Sequence, residues 1–148
     1  KLIFGDADQG YMAFEALDPG TKPNRYLAAP IGATPATAPP DALAPIYQAA
    51  PVDVLAAITR VALSEPLTEE VARFDAAFEA RFVQRTSLMR FPDTIWIKAV
   101  PLEGGRTALA IFSRSQIGHS DLGVNAARVA RWIAALDRVV PRVAAPSS

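Results

Sequence analysis

The chain has 148 residues, 51% of them hydrophobic and 20% charged, with 15 basic side chains against 15 acidic ones and no cysteine. That length suits one domain with a core of modest size, and apolar runs such as Ile95-Trp96-Ile97 are far too short to cross a bilayer. The lack of cysteine excludes disulfides and thiolate metal sites, and a neutral total argues against a dedicated nucleic-acid binder.

The charge is unevenly spread. Residues 1–80 carry 5 Lys/Arg against 11 Asp/Glu, and residues 81–148 carry 10 against 4. The C-terminal part should therefore attract anions.

Residues 1–42 read as an extended Pro-rich arm or linker. Eight of the 13 prolines lie at or before Pro51, and the spacing from Pro30 to Pro45 forbids a regular helix, because each proline lacks an N–H and clashes with the preceding turn. The aromatics Phe4, Tyr11, Phe14 and Tyr26 favour docking of part of this arm on the domain. The chain begins with Lys1, which leads us to expect an upstream signal or anchor.

A compact unit is expected over residues 43–141. Pro45 to Ala49 suits a short edge strand, where proline is tolerated. Pro51 and Asp53 favour a helix start, Val54, Leu55, Ile58 and Val61 follow at helical spacing, and Pro66 stops the run. Thr68 to Asp75 fits either a short helix or a loop. Phe78, Ala80, Phe82, Gln84, Thr86 and Leu88 then alternate with Glu79, Arg81, Val83, Arg85 and Ser87, the period of a strand. Phe91-Pro92-Asp93 reads as a turn. Ile95, Ile97 and Ala99 lie on one side of a second strand. Glu103-Gly104-Gly105 is a good hairpin loop, and Leu109 and Ile111 continue the inner face of a third strand.

Val129, Trp132, Ile133, Leu136 and Val140 form the apolar stripe of a final helix ended by Pro141. Arg128, Arg131 and Arg138 fall off that stripe, and Asn125 or Asp121 is expected to cap the helix. Residues 142–148 are expected to be a disordered tail. The predicted class is α+β: an antiparallel three- to four-stranded meander with two helices packed on one face, in the order β-α-β-β-β-α.

Between the last strand and the last helix runs Ser113-Arg114-Ser115-Gln116-Ile117-Gly118-His119-Ser120-Asp121-Leu122-Gly123-Val124-Asn125, dense in small, polar and turn-forming residues. It delivers the chain to a helix N-terminus, whose unpaired N–H groups attract anions. Together with the upstream block Gln84-Arg85-Thr86-Ser87-Leu88-Met89-Arg90-Phe91-Pro92-Asp93 and with Pro23-Asn24-Arg25-Tyr26-Leu27-Ala28, it resembles the domain of unknown function 1499 family over about residues 23–140. The resemblance implies a bacterial protein, often carrying an N-terminal membrane anchor and facing the periplasm. It implies no reaction. His119 falls at a variable position of the motif, which speaks against a catalytic histidine.

His119, Ser120 and Asp121 suggest a hydrolase at first sight. Adjacent residues cannot supply the nucleophile–base and base–acid geometries together, and the chain has no second histidine. One histidine and scattered carboxylates fit no metal-ligand spacing, so neither metal nor cofactor is expected. Arg81, Arg85, Lys98 and Arg114 share one predicted sheet face with Trp96 and Phe112, either as a cationic, partly aromatic docking surface or as a solvated outer face whose arginine stems cover the rings. Asp6, Asp8, Glu15 and Asp18 would pair with it if the arm crossed that face.

The leading expectation is a cell-envelope domain that binds an anionic small molecule, lipid headgroup or envelope protein without itself being an enzyme. Its site would draw on Arg85, Ser113, Arg114, Ser115, Gly118, Ser120, Asp121, Gly123 and Asn125. Two alternatives stand beside it: an enzyme on an envelope lipid or saccharide using Asp121, and a structural module docking through the basic sheet face.

Overall fold

The computed structural model describes residues 25–29, 41–85, 92–115 and 123–143. Six strands, β1 (Arg25–Ala28), β2 (Ile46–Tyr47), β3 (Thr68–Phe74), β4 (Glu79–Arg85), β5 (Pro92–Pro101) and β6 (Thr107–Ser115), and two helices, α1 (Pro51–Ser64) and α2 (Val124–Asp137), make up the domain. The strands form one antiparallel sheet in the order β1-β6-β5-β4-β3, with β2 pairing beside β1 along the same edge of β6. The α+β class and the meander through β4, β5 and β6 are as the sequence predicts.

Alternation along each strand divides the sheet into two faces. Ala80, Phe82, Ile95, Ile97, Ala99, Leu109 and Ile111 face the helices and pack against Val54, Leu55 and Ile58 of α1 and Val129, Trp132 and Leu136 of α2. Phe82 meets Trp132 edge-on, with ring centroids 6.1 Å apart. Leu27, Ala29, Trp96, Ala110 and Phe112 form a second buried cluster on the opposite face.

Two strands go beyond the expected order. Arg25–Ala28, read as part of the arm, pairs with Ile111–Arg114 of β6, and Asp41 fastens it by accepting bonds from the Arg25 guanidinium and the Leu27 amide. Thr68–Phe74 is the edge strand β3. A register shift between Glu70 and Ala72 breaks its side-chain alternation. That bulge and the flanking charges Glu69, Glu70 and Arg73 are how edge strands avoid pairing with other chains. Of the expected turn Phe91-Pro92-Asp93, Pro92 and Asp93 are strand, paired with Arg85 and Gln84, and Phe91 lies outside the described residues. At the other end Arg142, placed in the tail by sequence, forms a bridge with Tyr47, and the Val143 amide donates to Ile46.

Candidate functional site

β4 ends at Arg85, β5 begins at Pro92, β6 ends at Ser115 and α2 begins at Val124, all at one end of the sheet. Just inside that end lies Arg128, only 3% exposed. Its Nε donates to Gln84 Oε1 at 2.6 Å, its Nη1 to Ser113 Oγ at 3.0 Å and Asn125 Oδ1 at 2.9 Å, and its Nη2 to Asp93 Oδ2 at 2.6 Å. The Ser113 hydroxyl donates to Asn125 Oδ1 at 2.6 Å, and Asn125 Nδ2 donates to Ser115 Oγ at 3.0 Å. Each donor edge of the planar guanidinium thus has a partner, and charge-assisted bonds of this kind are the stronger class. The cluster ties β4, β5, β6 and α2 together below the level where the chain leaves the sheet.

This arrangement divides the residues singled out by sequence. Ser113, Ser115 and Asn125 come together, but their polar atoms bond inward to Arg128 and to one another. Asn125 is fully buried in that cluster and does not cap α2. The N-cap position belongs to Gly123, whose φ of +82° disfavours any side chain there and whose carbonyl accepts the Ala127 amide. Arg114 lies on the opposite face of the sheet, its guanidinium carbon 5.3 Å from the centre of the Trp96 ring and 5.9 Å from that of Phe112. Burial pushes the Arg114 guanidinium below its ordinary range. Gly118, Ser120 and Asp121, with His119, lie outside the described residues.

The outer face does not offer the open cationic surface considered from sequence, because Arg81 and Trp96 are each 4% exposed and Phe112 is fully buried. Lys98 pairs with Glu79 across β4 and β5, and burial pushes its ammonium below the usual lysine range.

Sequence reading missed the arginine at the centre. Arg128 falls off the apolar stripe of α2 and looked solvent-facing, yet it follows Asn125 by three positions, which puts both on one helix face. That spacing, and Asp93 as one of only four acidic residues in 81–148, are the available signals.

Beside the cluster an open groove of about 360 Å³ is lined by Glu65, Pro66, Leu67, Gln84, Arg85, Val124, Arg128 and Arg131. Arg131, one turn beyond Arg128 on α2, engages Glu65 side-on: Nε lies 3.1 and 3.0 Å from the two carboxylate oxygens and Nη2 lies 2.6 Å from Oε1. This pair holds the Glu65 carboxyl down to about 2, outweighing the opposing effect of burial. Smaller help comes from the Gln84 amide and from the Trp132 indole N–H, which lies near enough to favour the carboxylate although it closes no hydrogen bond. Glu65 in turn raises the Arg131 guanidinium, chiefly through the same hydrogen bonds. Arg131 is half exposed, and its Nη1 makes no hydrogen bond among the described residues. The guanidinium is therefore fixed by its Nε–Nη2 edge, and Arg131 is one of the residues that line the groove.

The fold and site define a small α+β domain whose polar motif closes on a buried arginine and whose arginine-rich groove opens beside it. Among the described residues no group of acidic or histidine side chains is placed to hold a metal ion, and no helix is long and apolar enough to cross a membrane. The family model described as "Protein of unknown function (DUF1499)" matches residues 17–136, and the chain belongs to that family. No curated protein and no solved structure matches it.

Proposed function

We propose that the chain is an anion-binding module of the bacterial cell envelope that works at the inner membrane. It captures a phosphate- or carboxylate-bearing ligand in the groove between the end of α1, the end of β4 and α2. The observation that carries this reading is the pre-oriented Arg131. Glu65 occupies its Nε–Nη2 edge, which orients the guanidinium in advance and leaves Nη1 for a ligand at little entropic cost, and Arg85 lines the same groove. Arg128 forms the floor and is committed to Asp93. The envelope setting is supported by the family resemblance, and the anion preference by the basic excess of residues 81–148.

The test is titration with inorganic phosphate at low ionic strength, followed through arginine side-chain NMR signals. A single charged contact of this kind binds with a Kd on the order of 1 mM. The expected result is saturable shifts that vanish in Arg131→Gln and weaken in Arg85→Gln. Arg114→Gln, whose guanidinium lies over the Trp96 and Phe112 rings outside the groove, should bind as the parent does. Non-saturable shifts, or equal binding by parent and Arg131→Gln, would end the proposal.

A further inference from the structure

The groove does not stop at the arginines. A second open groove of about 330 Å³ is lined by Leu67, Thr68, Glu69, Val83 and Arg85, and so shares Leu67 and Arg85 with the first. Ligand pockets span roughly 300–1,000 Å³. Two adjoining grooves of about 360 and 330 Å³ therefore give more room than an isolated anion needs.

Arg131 and its partner Glu65 line the first groove, Glu69 lines the second, and Arg85 borders both. Apolar side chains line the same grooves: Leu67 and Val124 are each 40% exposed, Pro66 joins them in the first groove, and buried Val83 lies in the second. Leu67 also holds an unusual backbone, with φ at +56°, a region that costs a non-glycine residue energy. Its carbonyl accepts the Arg85 amide, so the residue dividing the grooves and the arginine shared by both are fixed to each other.

We infer that the ligand is an amphiphilic anion: a single-chain lipid whose phosphate or carboxylate head meets Arg131 and Arg85 while its chain lies over Leu67 toward Val83. The head is placed in the first groove because Arg131 lines that groove alone. This inference rests on the anion-binding reading above and adds the apolar half of the ligand.

The test compares three probes by calorimetry on the full chain. They are 1-oleoyl lysophosphatidate below its micellar concentration, glycerol 3-phosphate as the head alone, and octyl glucoside as an uncharged amphiphile. Lysophosphatidate should bind at least about tenfold more tightly than either of the others, as expected when several chain carbons leave water. Leu67→Asn keeps a side chain that tolerates the left-handed backbone, so it should spare the fold. It should weaken lysophosphatidate roughly three- to tenfold by removing half-exposed apolar surface, and leave glycerol 3-phosphate unchanged. Equal affinity for lysophosphatidate and glycerol 3-phosphate, both lost in Arg131→Gln, would overturn the amphiphile and leave the anion reading standing. Octyl glucoside binding as well as lysophosphatidate, with no effect of Arg131→Gln, would overturn both.

Discussion

Arg128→Met is the most informative single substitution for the fold. The parent guanidinium is 3% exposed and donates to Gln84, Ser113, Asn125 and Asp93, with Asp93 itself 2% exposed. Methionine roughly fills the aliphatic volume but removes the Arg128 guanidinium from the buried Asp93 carboxylate. Breaking a buried ion pair from one side costs about 3–5 kcal/mol, mostly for the charge left behind. Against a native stability of about 5–15 kcal/mol, that is a large share. At roughly 2–4 °C per kcal/mol for a domain of this size, Tm should fall by on the order of 10 °C.

Urea unfolding followed by tryptophan fluorescence reports the change as a shift in midpoint at constant slope. Two companions separate the causes. Arg128→Lys keeps the charge but not the planar fork, and should fall between parent and Met. In an Asp93→Asn background Arg128→Met should cost less than half as much, because no buried anion is stranded. A loss below about 1 kcal/mol for Arg128→Met would refute the claim that this cluster locks the sheet end. Equal losses in both backgrounds would show that the ion pair is not the source.

Glu65 supplies a pH-dependent increment. Its carboxyl is held down to about 2 by Arg131, so the stabilisation is present above the ordinary glutamate pKa and disappears as pH falls through about 4 toward 2. Solvent reaches the pair through Arg131, which is half exposed, so the increment is about 1 kcal/mol at most, and Arg131→Gln should be less stable than the parent at pH 7 but nearly equal to it near pH 2. Tyr47 is fully buried and donates to Asp137 Oδ1 at 2.7 Å. Tyr47→Phe should therefore cost about 1.5 kcal/mol in a chemical melt. Burial, then Asp137, push the Tyr47 phenol far above its usual range, so it stays neutral while the unfolded form ionises and stability should fall as pH rises above about 10. An ultraviolet titration in which every tyrosine ionises near pH 10 without unfolding would contradict this.

The parts of the fold that sequence discloses are those with an uninterrupted period. Val54, Leu55 and Ile58 mark α1, Ile95, Ile97 and Ala99 mark β5, and Val129, Trp132 and Leu136 mark α2, because each repeat puts its apolar residues on one face. β3 is hidden for a physical reason. It is an edge strand that has charged side chains and a bulge after Glu70, so neither burial nor alternation signals it. β1 is hidden by its neighbourhood, since four residues in a Pro-rich stretch become a strand only through Asp41 and the open edge of β6. The candidate site was half legible. The motif Ser113, Ser115 and Asn125 does converge, but its target is Arg128, and inward-pointing serines look the same in sequence as ligand-facing ones. Arg114 was separated from them by strand alternation alone, a consequence that follows once β6 is known to run through Ser115.

The two arginines a single turn apart on α2 therefore need different interpretation. Arg128 bonds to residues on both sides of segments 86–91 and 116–122: Gln84 and Asp93 flank the first, and Ser113 and Asn125 flank the second. Any substitution there releases four anchor points at once, so a loss of binding would follow from disordered groove walls whether or not Arg128 ever meets a ligand. Arg131 has the opposite character. Its hydrogen bonds among the described residues all go to Glu65, and its side chain is half exposed. A binding defect in Arg131→Gln with an unchanged urea midpoint at low pH, where its ion pair contributes nothing, would assign the defect to ligand contact. The same defect appearing only with Arg128 substitutions, and scaling with lost stability, would make the motif a structural clasp and move the search for a ligand away from this groove.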